Sequence, residues 1–161
     1  MTPLPPVGRV AFLLGFAGLL PPVAAVLLIV LGRRDPTDLA WAPLLLGYGG
    51  ALLYAAVILS FLGGMWWGFA LRREGGQGRL VALAVVPSLV ACACLLWAAA
   101  TVQGGGPMPA IVLGSAVILT LLVDRHLVST GEAPANWMRL RVPLSLGLGG
   151  LTMAAGVLAA R

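Results

Sequence analysis

In this chain of 161 residues, 60% of the side chains are hydrophobic and only 9% are charged. A soluble domain carries about 25% charged residues, so a water-facing surface is excluded for most of the molecule. The net charge of +5 is no nucleic-acid signal either: its arginines sit at the ends of apolar runs, where they report topology at a membrane surface.

One membrane-crossing helix needs about 20 apolar residues, which leaves room for five spans with short loops and none for a soluble domain. The expected fold is an all-α integral membrane bundle of five transmembrane helices, over about 10–32, 43–67, 80–100, 109–127 and 142–160. The first run follows Arg9 and closes on Arg33 and Arg34. Val23-Ala24-Ala25 imitates a signal-peptide cleavage site, but the run is too long and continues past it. Pro21 and Pro22 lie at its middle and predict a kink. The carbonyls they free need donors from neighbouring helices, which predicts a span packed inside the bundle.

The second span begins after Trp41 and Pro43 and runs to about Trp67. Trp41 and Trp66 are separated by about 38 Å of helix. That is close to the ~40 Å between headgroup regions, so both are expected to be interfacial anchors, at opposite faces. The loop Arg72–Arg79 turns the chain back on its glycines. The third span carries Pro87 and two cysteines, Cys92 and Cys94. Two residues apart on a helix they point away from each other and cannot pair, so both are expected to be buried bystanders. An uncharged turn at Gly104-Gly105-Gly106-Pro107 leads to the fourth span, and a polar stretch from Asp124 to Arg141 precedes the fifth. Short loops make sequential helices antiparallel neighbours.

Arginine counting orients the bundle. Arg9, Arg72, Arg73, Arg79, Arg125, Arg139 and Arg141 fall on one side; Arg33, Arg34 and Arg161 fall on the other. The positive-inside rule then makes the amino terminus cytoplasmic. No lysine is present, which points to a GC-rich bacterial genome and a bacterial inner membrane.

Two segments hold the polar interest. In Ser60-Phe61-Leu62-Gly63-Gly64-Met65-Trp66-Trp67-Gly68, the Gly64–Gly68 pair is a small-xxx-small groove for a packing helix more readily than a ligand site. Ser60 is expected to bond its own i−4 carbonyl or a neighbouring helix. Asp124 lies sixteen residues beyond Met108, about 24 Å along a helix, hence near an interface. An ion pair with Arg139 or Arg141 is its expected role; the competing reading makes the three a site for a lipid headgroup or another anionic ligand. His126 is the single histidine and falls at the cytoplasmic end of the fourth span, not inside it, so neither a metal centre nor a haem is expected. With no catalytic constellation and no cofactor motif, the expectation is a protein that is not an enzyme.

The run Ser60–Gly68, with Tyr54 six residues upstream, resembles the signature of the DUF3429 family, related to the animal transmembrane protein 69. The stretch Pro134-Ala135-Asn136-Trp137-Met138-Arg139-Leu140-Arg141 is similar to that family's second motif, and Gly18–Pro21 and Pro87-Ser88 match as well. At position 66 this chain has Trp where the family often has His or Arg, so a proton or anion role on that side chain does not carry over. The resemblance implies a five-helix membrane protein, with a mitochondrial animal relative and no established activity.

Three functions follow in order of expectation. First is a non-catalytic accessory or assembly subunit packing against a larger energy-transducing complex, with small-residue faces at Gly64 and Gly68 and at Ser145, Gly149 and Gly150. Second is a carrier, channel or binding protein for a small apolar or anionic molecule such as a lipid or quinone, for which proline-broken helices provide cavities. An enzyme acting on lipid or quinone comes last. Membrane lipids and other membrane-protein subunits are the expected partners.

Overall fold

The computed structural model describes residues 5–33, 41–101 and 106–160. Arg34, Gly104, Gly105 and Arg161 lie outside the described residues, as does the side chain of Trp41. Six helices form the five spans: α1 (Arg9–Ala17) and α2 (Leu20–Gly32) share the first, and α3 (Trp41–Leu71), α4 (Gln77–Ala100), α5 (Met108–Ser129) and α6 (Trp137–Ala159) are one span each. All five are long and apolar enough to cross a membrane. Many large apolar side chains face outward all round the bundle, among them Leu13, Leu53, Leu89, Leu122 and Leu146. A helix that is apolar on every side suits a lipid surround.

The first span breaks at Gly18-Leu19, just ahead of the two prolines. Pro21 and Pro22 have no N–H for the carbonyls of Ala17 and Gly18, and their rings crowd them. In the first turn of α2 that missing N–H costs nothing. The orphaned Gly18 carbonyl accepts a hydrogen bond from the Tyr54 hydroxyl on α3, at 2.6 Å. The expectation of a span inside the bundle fails here. No residue of α1 is buried, and α2 buries only Pro22, Ala25, Ile29 and Gly32. The Gly18 carbonyl takes its donor from α3 alone, and the span stays at the edge.

The last two spans are longer than hydropathy alone indicates. Helix α5 runs through Asp124-Arg125-His126, and α6 starts five residues before position 142, so Arg139 and Arg141 are helical. Their junction is a tight C-cap. The amide of Glu132 donates to the Leu127 carbonyl and that of Gly131 to Val128, with Gly131 left-handed at φ +74°.

Small residues set the closest approaches. Gly114 of α5 and Gly149 of α6 face each other, and a Cβ on Gly149 would lie 2.6 Å from the Gly114 carbonyl oxygen and 2.7 Å from Ile118. On α3 two glycines make close contacts: a Cβ on Gly47 would lie 2.7 Å from the Ala25 carbonyl oxygen of α2, and one on Gly63 would run into the Ala84 carbonyl of α4. Gly64 and Gly68 are not the packing pair within this chain: nothing lies within 4 Å of a Cβ at either. The choice among adjacent glycines is made by which face of α3 meets α4. The expectation that both cysteines are buried holds for Cys94 and fails for Cys92, which is exposed because two residues along a helix bring it to the opposite face.

These contacts give a stability prediction. Gly149→Val forces two backbones apart and is expected to cost about 1–3 kcal/mol, whereas Gly150→Ala, in open space, should stay within about 0.5 kcal/mol. In a Cys92→Ser background, the temperature at which Cys94 becomes reactive to a thiol dye in detergent measures the difference.

Candidate functional site

Asp124, Arg141 and Trp66 lie four or five residues in from their helix ends, about 6–8 Å along each axis. Asp124 has no exposure, and the Arg141 side chain only 7%. An isolated carboxylate cannot stay ionised there, so its oxygens must be matched. They are: Arg141 Nε donates to Oδ2 at 2.6 Å and Trp66 Nε1 to Oδ1 at 2.9 Å. Arg141 Nη2 also donates to Thr120 Oγ1 at 3.2 Å, and that hydroxyl donates to the Val117 carbonyl at 2.6 Å. Four side chains thus tie α3, α5 and α6 together.

Of the two candidate arginines, Arg141 makes the pair; Arg139 is exposed. Trp66 is not an interfacial anchor. It is 2% exposed and turned inward, because α3 continues past it to Leu71 and the carboxylate holds its N–H. Trp67, 42% exposed, is the outward one of the pair. Ser60 is half-buried and, among the described residues, makes no side-chain hydrogen bond, neither to its i−4 carbonyl nor across helices. Thr120 had no signal of its own in the sequence; only its place one turn before Asp124 could have indicated it.

Beside this node lies a cavity of about 340 Å³, walled by α1 and the Gly18 break, α3 and α6. That volume is at the small end of ligand pockets, which span about 300–1,000 Å³. Its lining is almost all apolar, and its rim includes Leu14 and Phe61, which are exposed on the lipid-facing side. Tyr54 lines it while holding Gly18. Three residues of α6 with polar side chains are among those that line it: Trp137, Arg141 and Ser145. At i, i+4 and i+8 they succeed one another along one face, about 6 Å of axial rise apart.

Trp137 Nε1 and Ser145 Oγ are buried with no hydrogen-bond partner among the described residues. Buried polar groups without partners are rare in folded proteins, and each costs about 1–3 kcal/mol. Phe69 meets the Trp137 ring edge-on, centroids 6.4 Å apart, which holds the indole in place without satisfying its N–H. Arg141 has five N–H groups, of which Nε and one on Nη2 are used within the protein.

Nearby, the loops at the arginine-rich end are latched. Arg73 Nε and Nη2 donate to the two Glu132 oxygens at 2.6 and 2.8 Å, and Thr130 donates to the same carboxylate. Asn136 exchanges two hydrogen bonds with the Val7 backbone. The Arg73 hydrogen bond, above all, holds the Glu132 carboxyl below the usual carboxylate range, with Thr130 adding to it.

Two predictions follow. Asp124→Leu or Arg141→Met alone leaves a buried charge unpaired and should cost about 3–5 kcal/mol, while the double variant recovers most of that loss; thermal unfolding in detergent checks it. The latch is worth about 0.5–1 kcal/mol. Because the Glu132 pKa is lowered in the folded state, that stability is present above the unfolded carboxylate pKa and disappears as pH falls through the folded one. Glu132→Gln should therefore lower the unfolding temperature at pH 7 and leave it unchanged in strong acid.

The DUF3429 family model, described as a protein of unknown function, matches residues 7–158. No curated protein and no solved structure matches the chain. A match over nearly the whole five-span bundle, including the Tyr54–Gly68 and Pro134–Arg141 segments, makes the chain a member of the DUF3429 family.

Proposed function

We propose that this protein is a non-catalytic membrane protein that binds a small amphipathic molecule in the cavity between α1, α3 and α6. The carrying observation is the pair of buried polar atoms without partners, Trp137 Nε1 and Ser145 Oγ, on an otherwise apolar wall. A ligand that supplies the missing hydrogen bonds removes their desolvation cost, and its apolar part replaces lipid contacts at no penalty. The mouth between exposed Leu14 and Phe61 gives such a molecule a route from the bilayer. The absence of lysine supports a bacterial inner-membrane setting, and the arginine bias supports this end of the bundle lying in the cytoplasm.

A second reading, the accessory subunit, is favoured by one observation. Gly64 and Gly68 open outward, where a helix of another subunit would find close approach.

Mild-detergent purification followed by native mass measurement separates the two. One small molecule per chain is expected, lost in Leu144→Trp, which fills the cavity. A chain that carries no small molecule but a stoichiometric protein partner would favour the accessory reading.

A further inference from the structure

The cavity also carries information about the charge of its ligand, and this step rests on the binding reading above. The protein groups at its polar end are donors. Trp137 Nε1 and the guanidinium of Arg141 have no acceptor capacity, and the Ser145 hydroxyl can serve as a donor. The ligand must therefore present acceptor oxygens. Donors alone do not separate a carbonyl from a phosphate or carboxylate, but the charge balance does.

Among the described residues Arg141 is the one cation at the cavity wall, and Asp124 already neutralises it through a 2.6 Å contact with both side chains buried. Among the described residues no other arginine of this end lines the cavity: Arg73 is bidentate to Glu132, and Arg9, Arg72, Arg79, Arg125 and Arg139 are exposed. An anionic headgroup in the cavity would be a third buried charge with no counter-charge of its own, and such burial is strongly unfavourable away from water. A neutral carbonyl accepts the same hydrogen bonds without that penalty.

We infer that the ligand is an uncharged carbonyl compound with an apolar tail, and that the Asp124–Arg141 pair is the device that rejects anionic lipids. A quinone and a neutral acylglycerol share this chemistry. In either case the carbonyl oxygens meet Trp137 and Ser145 on α6, and the tail leaves past Leu14 and Phe61 into the bilayer.

The test uses the full chain stripped of bound lipid in detergent, with native mass measurement of one-to-one adducts. Three probes are offered at equal concentration: a short-tailed quinone, a dioctanoylglycerol and the matching dioctanoyl phosphatidic acid. One or both neutral probes should bind, the stronger naming the source, and the phosphatidic acid should bind at least about tenfold more weakly. Ser145→Ala and Trp137→Phe should each weaken the neutral adduct about tenfold, the cost of one hydrogen bond. Asp124→Asn leaves Arg141 uncompensated, and the preference should swing toward phosphatidic acid; if that variant fails to fold, the wild-type ranking and the two α6 variants still decide. Phosphatidic acid binding as well as or better than the neutral probes in a Leu144→Trp-sensitive manner would overturn the neutral-ligand inference and leave the binding reading standing. No cavity-dependent adduct with any probe would overturn both.

Discussion

A carboxylate and a guanidinium buried between helices govern the arrangement of this bundle. Asp124 enters the apolar phase only because Arg141 and Trp66 meet its two oxygens, and those partners fix the rotation and depth of α5, α6 and α3 relative to one another. Most other helix contacts are apolar and weakly directional, as expected where lipid and side chain are equally hydrophobic. The Gly114–Gly149 approach then sets how close α5 and α6 come. With α6 held in this register, Trp137 and Ser145 are turned to the same side as Arg141, toward the space left by the broken first span.

That broken span is the second constraint. Two adjacent prolines free backbone carbonyls at membrane depth, and Tyr54 satisfies the one at Gly18. The hydrogen bond pins the break against α3 but leaves α1 at the edge, with no buried residue of its own. A straight, well-packed first helix would occupy the volume that is now a cavity. The polar node and the proline break therefore cooperate: one presents donors, the other leaves them unmatched.

Much of this architecture is legible in the residues. Five apolar runs of sufficient length imply five spans, and Asp124 at the end of the fourth, with Arg139 and Arg141 just ahead of the fifth, implies an ion pair. What could not be read was direction. Arg139 and Arg141 lie on nearly opposite faces of a helix, and only the packing of α6 on α5 selects Arg141. Trp66 resembled an interfacial anchor because the Trp41–Trp66 spacing matches a bilayer, yet apolar Phe69, Ala70 and Leu71 carry the helix further and leave Trp66 inside. Gly63 and Gly64 are adjacent and identical in type, and tertiary contact alone picks Gly63. Ser145 carries no signal as a ligand group, since the cavity it faces is made by residues from three helices far apart in sequence.

A structure of the protein in lipid nanodiscs would decide whether the cavity is a binding site. The expected result is a non-protein molecule between α1, α3 and α6, with its acceptor oxygens within hydrogen-bond distance of Trp137 Nε1 and Ser145 Oγ. A closed cavity, with both atoms bonded to protein groups and α1 packed down on α6, would contradict it.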